Sequence, residues 1–391
     1  MNDIFSFYEK KLVSGGLTPK DPPILGFFDA DITWNRKISV IGELLPFFEN
    51  LNINSLLFSK PAEPYNSIIN YLAQNTQKGT IFPKDCETKT FLHDLPISSS
   101  LLNPQTLSLL KERKSVIIPS SGIITYGTVS MEQAIVTYSS VCFACFVKFF
   151  SDFLSDAHNK RLTDEQKRVF KKAVSCLDIL PEFNNSLIKG PFKSEEIVIL
   201  AMDEAGRGVV KKRLVDSTFG NISCCFNNVL YISQTGSFLD NLKGFIDPCP
   251  LDKSSCASIT ASSELSTHME IIRLTESTAI LHGHPKFSVI LSMDCKYSNE
   301  CNSKDQCHRK CPYERDVCGV PVVSGEVGTG VFGLVNTVPP VMKNHKGVIV
   351  YGHGLFTRGE KDFNQPFSDL VKIENMCRIE YFNKIKQLTG L

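Results

Sequence analysis

The chain has 391 residues, length for two or three domains at roughly 150 residues each, and its 42% hydrophobic and 21% charged residues supply a real core. The formal charge is +1, from 42 Lys+Arg against 41 Asp+Glu, with no basic stripe, which argues against a nucleic-acid partner. Residues 1–5 lack the charged and apolar regions of an export signal. The longest apolar window, 134–154, carries Lys148, Ser151 and Asp152, so it is expected to be a buried amphipathic helix rather than a membrane span. The expectation is a soluble, cytoplasmic protein with no membrane partner. Five of the fourteen cysteines lie between Cys295 and Cys318, which points to a local site and not to general scaffolding.

Residues 1–22 read as a leader ending in Lys20-Asp21-Pro22-Pro23. A mixed α/β pattern follows. Residues 40–51 are expected to be helical despite Pro46, 55–58 a strand, 65–72 a helix, and 115–118 a strand before the turn Ser120-Ser121-Gly122. A long helix from Met131 to residue 154 closes a first domain, 1–155. Residues 156–192, with a short helix near 164–179 and a Pro/Asn/Gly break at 181–191, form a helical linker. The second domain, 193–391, opens at Ser194-Glu195-Glu196 with a helix to about Lys212. Residues 217–223, Ser217-Thr218-Phe219-Gly220-Asn221-Ile222-Ser223, read as a turn rich in backbone donors. A strand at 229–233 leads to Thr235-Gly236, and Ser262-Ser263-Glu264 starts a helix with hydroxyls and a carboxylate in its first turn. A strand at 347–351 ends in Gly352-His353-Gly354, and a closing helix spans about 365–386.

Between that start and that strand lies Leu281-His282-Gly283-His284-Pro285, flanked by apolar runs at 279–281 and 287–291 that read as buried strand. Residues at i and i+2 of a strand share a face, so His282 and His284 form half of a metal site, or two histidines serving separate core or solvent needs. Residues 346–359 repeat the pattern of 114–127, strand, turn and long helix. In that alignment Ser121 stands at His353, and Phe58-Ser59-Lys60 stands at His282-Gly283-His284. The first domain is therefore a partial copy without the three histidines, with a structural or regulatory role.

The ordered series Gly220-Asn221-Ile222-Ser223, Thr235-Gly236, Ser262-Ser263-Glu264, His282-x-His284-Pro285 and His353-Gly354 resembles the class II aldolase/adducin family over roughly 194–391. The resemblance implies an α/β fold, an αβα sandwich with a central, largely antiparallel mixed sheet, preceded here by a degenerate aldolase-like α/β domain. It implies one divalent metal, most often Zn2+, held by His282, His284 and His353, with Glu264 as acid/base; the plainer role for Glu264 is a charge at a helix start. It also implies a phosphate cradle at Gly220, Asn221, Ser223, Thr235, Gly236, Ser262 and Ser263, which turn and cap chemistry alone also accounts for. His268, four residues after Glu264, reaches the same face as a supporting residue and not a ligand. The implied reaction is aldol cleavage of a phosphorylated or anionic sugar or hydroxy-ketone through an enediolate. Dehydration or 4-epimerisation at the same metal, or a non-catalytic adducin-like module, are the alternatives. The family commonly forms homo-oligomers with the site at a subunit interface. Where it often supplies a tyrosine proton donor this chain has an insertion, 294–318, leaving Tyr297 and Tyr313 as candidates. The insertion carries Cys295, Cys301, Cys307, Cys311 and Cys318, spaced for no familiar metal motif. A second structural zinc, an Fe–S cluster, disulfides and free thiols all remain open.

Overall fold

The computed structural model describes residues 2–391 except 181, 183–185, 217–218 and 299, and omits the side chain of Asn2. Two compact units result, Met1–Asp178 and Ile179–Leu391.

The first unit runs α1 (Asn2–Ser14), β1 (Ile24–Phe28), β2 (Ile32–Trp34), α2 (Ile41–Asn50), β3 (Ser55–Ser59), α3 (Tyr65–Gln74), β4 (Thr80–Ile81), α4 (Cys86–Leu92), β5 (Leu95–Pro96), α5 (Pro104–Arg113), β6 (Ser115–Ile118), β7 (Gly122–Gly127), α6 (Met131–His158) and α7 (Asp164–Ser175). The expected leader is instead a helix: Phe5, Tyr8 and Leu12 fall on one helical face and are buried. Helix α6 is long and apolar enough to cross a membrane, yet 83% of its apolar window is buried inside the protein. Its Phe153 stacks on Phe170 of α7, so α7 belongs to the first unit and the division falls after Asp178, not along a separate linker at 156–192.

The second unit runs α8 (Glu195–Lys211), β8 (Asn221–Phe226), β9 (Val229–Ser233), β10 (Ile246–Pro250), α9 (Leu265–Leu274), β11 (Ala279–Gly283), α10 (Lys286–Met293), β12 (Arg315–Val317), β13 (Val320–Val323), α11 (Leu334–Met342), β14 (Gly347–Val350), β15 (Gly354–Gly359) and α12 (Asn364–Thr389). Its eight-stranded sheet has the order β10-β9-β8-β11-β15-β14-β13-β12. Only β13 and β14 pair in parallel; every other neighbour is antiparallel. Helices α9 and α11 pack through Ile271, Leu334, Val338 and Met342 on one face, against Ile280, Val348, Val350 and Phe356. Helix α12 covers the other face with α8 and α10. This is the expected αβα sandwich. Two local expectations are corrected. Asn221-Ile222-Ser223 is strand β8 rather than turn, while Ser217 and Thr218 lie outside the described residues. The apolar run 287–291 is helix α10, because Pro285 and the buried Glu374 carboxylate start a helix there.

The internal repeat is a repeat of topology and register. The five-stranded sheet of the first unit, β2-β1-β3-β7-β6, has the order of β9-β8-β11-β15-β14. Ser55 faces Gly127 and Ser59 faces Ile123 across β3–β7, as Ala279 faces Gly359 and Gly283 faces Leu355 across β11–β15. Details follow the same frame. Thr125 donates to Ala134 O at 2.9 Å, and its counterpart Thr357 donates to Pro366 O at 2.8 Å. The turn residue before each hairpin's return strand has positive φ, +64° at Ser120 and +57° at Gly352. A Cβ on Gly122 would lie 2.5 Å from Ser59 O, and one on Gly354 would lie 2.5 Å from Gly283 O. Gly122→Ala and Gly354→Ala should therefore each cost about 1–3 kcal/mol, read from denaturant unfolding. Unchanged stability in both would remove the close backbone approach from the account of the repeat.

Candidate metal centre

Strand β11 sits between β8 and β15, so His282 projects from the middle of the sheet on the face of Ile280. His284 stands one residue past the strand, and His353 lies in the tight β14–β15 turn, where Gly352 N donates to Ser292 Oγ at 2.8 Å. Gly220, at φ +95°, allows close passage: a Cβ there would lie 2.4 Å from His282 O. The three rings are buried, and their ligand atoms lie within 4.8 Å of one another. His282 Nε2 is 3.0 Å from His284 Nε2 and 3.3 Å from His353 Nε2. His282 Nδ1 lies 3.2 Å from Leu355 O, a carbonyl that can only accept, which assigns the proton to Nδ1 and leaves Nε2 a bare lone pair. Phe356 stacks on His282 at 4.0 Å and Phe219 on His284 at 5.2 Å, fixing both ring planes.

Glu264, the residue before α9, completes the cluster. Its Oε1 is 3.2 Å from His353 Nε2 and its Oε2 is 3.5 Å from His282 Nε2. Asn221 Nδ2 donates to Oε2 at 2.7 Å. Four residues along α9, His268 Nδ1 meets Ser223 Oγ at 2.7 Å. An i, i+2 pair on a strand thus holds an i, i+4 pair on a helix. Burial lowers His282 to about 4, His284 well below the usual imidazole range, and His268 to about 3. Burial opposes charge on Glu264, but His282, His353 and Asn221 outweigh it and hold the carboxyl below its usual range.

These directions fit a cation. Burial disfavours charge on His282 and His284, and a divalent ion would supply positive charge beside the buried carboxylate without protonating either ring. The bare Nε2 of His282 also faces the Nε2 atoms of His284 and His353. Ligands at about 2.0–2.1 Å from a tetrahedral zinc stand about 3.3 Å apart, close to the observed 3.0 and 3.3 Å. The donor set therefore fits a divalent metal, with His282, His284 and His353 as its holders.

The expected cradle is split by the structure. Asn221 is turned to Glu264 and Ser223 to His268, so neither side chain faces outward; both are buried. Thr235, Gly236 and Ser263 are exposed, and Ser262 is buried with its Oγ accepting from Glu264 N at 3.3 Å. The two loops run side by side through Thr235 N to Thr260 O at 3.0 Å and Thr235 Oγ1 to Ala261 O at 2.9 Å. Tyr297 and Tyr313 stack on each other at 4.2 Å. Among the described residues the histidine triad is the one group of three that draws together for a metal. Cys295, Cys301, Cys307, Cys311 and Cys318 form no such group of three, though Cys307 has Cys311, Cys301 and Cys295 for neighbours.

In the first unit the positions of Asn221, Glu264, His268 and His282 are apolar. The registers place Ile24 at Asn221 and Phe58 at His282. Ile41 and Leu265 each open a ten-residue helix at the same separation from the next strand, which puts Val40 at Glu264 and Leu44 at His268. Ile24, Leu44 and Phe58 belong to one core cluster, with Val40 packed against it.

Residues 201–381 match the family model described as Class II Aldolase and Adducin N-terminal domain. The C-terminal unit is a class II aldolase/adducin domain. Among solved structures, L-fuculose-1-phosphate aldolase from Thermus thermophilus aligns at 21% identity and TM-score 0.40, covering 50% of this chain and 97% of that one. YgbL from Klebsiella pneumoniae, provisionally described as an aldolase/epimerase/decarboxylase, aligns at 19% and 0.39, covering 50% and 100%. Sugar-phosphate aldolase from Thermotoga maritima aligns at 17% and 0.35, covering 47% and 93%. No curated protein matches the chain.

Sequence reasoning missed Glu374, which holds the aldolase-type domain's His284 segment in place. Its carboxylate accepts from Phe287 N and Ser288 N, both at 2.9 Å, at the start of α10. No motif marks it, because its partners are backbone groups 87 and 86 residues away. Burial raises it to about 7, against those two N–H bonds and Lys286. A carboxyl raised in the folded state binds more protons folded than unfolded between about 4.5 and 7. Its contribution to stability therefore falls as pH rises through that window, by on the order of 3 kcal/mol. Glu374→Gln should flatten this slope in unfolding measured from pH 4.5 to 7. A slope equal to the wild type's would contradict the assignment.

Proposed function

We propose that the C-terminal unit is a metal-dependent lyase that cleaves a C–C bond of an anionic or phosphorylated sugar or hydroxy-ketone by the aldol route. The observation that carries this is Glu264 set 3.2 Å from His353 Nε2 and 3.5 Å from His282 Nε2, inside the converging triad. His282, His284 and His353 would hold a divalent ion, zinc by donor type and geometry. When bound, that ion supplies Lewis-acid polarisation of a carbonyl or hydroxyl oxygen. Glu264 takes and returns the substrate proton, with Asn221 Nδ2 aiming its Oε2. Phe219 and Phe356 keep water from the ring faces of His284 and His282. Thr235, Gly236 and Ser263, on adjoining exposed loops, supply hydroxyls and N–H groups for the substrate's anionic group. The protein is taken to work in the cytoplasm as a homo-oligomer, in keeping with the family resemblance.

Dehydration or epimerisation of a sugar phosphate at the same residues is the second reading. It draws on the same triad and Glu264, with Tyr297 and Tyr313 stacked on each other at 4.2 Å as the candidate proton donors.

Metal content and aldol cleavage of sugar phosphates, measured together, test the proposal. His282→Ala should lose both. Glu264→Gln should keep the metal while cleavage falls by about 10²–10⁴-fold. Metal-free wild-type protein, or cleavage independent of His282, would overturn it; metal with dehydration but no cleavage would select the second reading.

A further inference from the structure

The two loops that carry the anion-binding donors are fastened to one buried carboxylate. Strand β10 is an edge of the eight-stranded sheet, and its Asp247 stands opposite Ile232 of β9. Asp247 is buried, with Oδ1 accepting from Gln234 Nε2 and Oδ2 from Thr260 Oγ1, both at 2.7 Å. Gln234 is the residue before Thr235-Gly236, and Thr260 opens the run Thr260-Ala261-Ser262-Ser263. One carboxylate therefore holds both loops by their roots. Main-chain contacts continue the union: Gln234 bridges Ala261, and Ser262 N donates to Ser233 O at 3.1 Å.

Burial makes this choice of residue informative. A buried carboxylate is ordinarily matched by a cation, because an uncompensated charge is expensive away from water. Asp247 is matched instead by a neutral amide and a neutral hydroxyl, one from each loop. Packing alone would favour an apolar side chain here. A carboxylate differs in offering two acceptor oxygens in one plane, which hold two donors at a fixed separation. Beyond these ties the loops are open. A Cβ on Gly236, at φ +75°, would meet nothing within 4 Å, and Ser263 is exposed. Among the described residues, Gly236 N, Ser263 N and Ser263 Oγ donate to no protein acceptor.

We propose that Asp247 is a positioning residue, tying the 234–236 and 260–263 loops into one cradle for the substrate's anionic group. This rests on the reading of those loops as the holders of that group. The tie fixes the spacing of the Gly236 and Ser263 donors in the folded chain. The cost of ordering them then falls on folding and not on binding. Asp247 itself touches no substrate; it acts through Gln234 and Thr260.

The test titrates the zinc-loaded full chain with inorganic phosphate by calorimetry, beside metal content and melting temperature, and uses no cleavage assay. Asp247→Ala should keep its metal and bind phosphate about tenfold more weakly, the scale of one lost hydrogen bond. Asp247→Asn should restore binding, since its amide oxygen still accepts from Gln234 while its NH2 donates to the Thr260 hydroxyl. Thr260→Val removes one tie and keeps the backbone bond from Thr235 N. It should also weaken binding, and it carries the test where Asp247→Ala does not fold. Ser263→Ala, which removes a cradle donor, should weaken binding too. Wild-type affinity in folded Asp247→Ala or in Thr260→Val, or alanine-like affinity in Asp247→Asn, overturns the proposal and leaves the cradle standing. A wild-type chain that binds no phosphate, or binds it equally after Ser263→Ala, removes the cradle and the proposal together.

Discussion

A carboxylate and four imidazoles buried together have no water to satisfy them, so every lone pair and N–H must find its partner within the fold. The second unit meets this with two tiers. Strand β8 presents Asn221 and Ser223 on one face, and α9 presents Glu264 and His268 one turn apart above them. The match between a two-residue strand period and a four-residue helix period fixes how α9 lies on the sheet. Close glycines at 220 and 354 then let β11 and the β14–β15 turn bring their histidines to the same point.

The first unit shows the same frame released from that demand. With Ile24, Val40, Leu44 and Phe58 in the corresponding places, the face closes as ordinary core. Strand order, register, the Thr125 bond to Ala134 O and the Gly122 approach all persist without the polar cluster. The frame therefore packs without them, and the polar residues of the second unit are an addition in which Asn221 pairs with Glu264 and Ser223 with His268, while Asn221 Oδ1 and His268 Nε2 have no hydrogen-bond partner. Replacing one member strands its partner, which is a costlier change than replacing all of them. The first unit has replaced all of them.

Much of this was legible beforehand. The strand of His282, the helices of 131–154 and 365–386, and the alignment of 114–127 with 346–359 follow from local periodicity and turn residues. Other points turned on partners far along the chain. Residues 287–291 are as apolar as a strand, and Pro285 with the distant Glu374 carboxylate makes them a helix. Asn221 and Ser223 read as anion binders because Asn and Ser near glycine suit a turn; strand pairing turned them inward. Helix α1 was within reach, since Phe5, Tyr8 and Leu12 carry its period.

By itself the sequence singled out the candidates for chemistry, three histidines and a glutamate in family order, since those types have few other uses when placed at strand ends and helix starts. It also determined that the chain contains one such set and a second frame without it. The tertiary structure alone decided how the set is held: which imidazole nitrogen of His282 faces inward, that Asn221 aims Glu264, and that Glu374 anchors α10. These are contacts between residues tens of positions apart. Their energies depend on burial and angle, which no local pattern encodes.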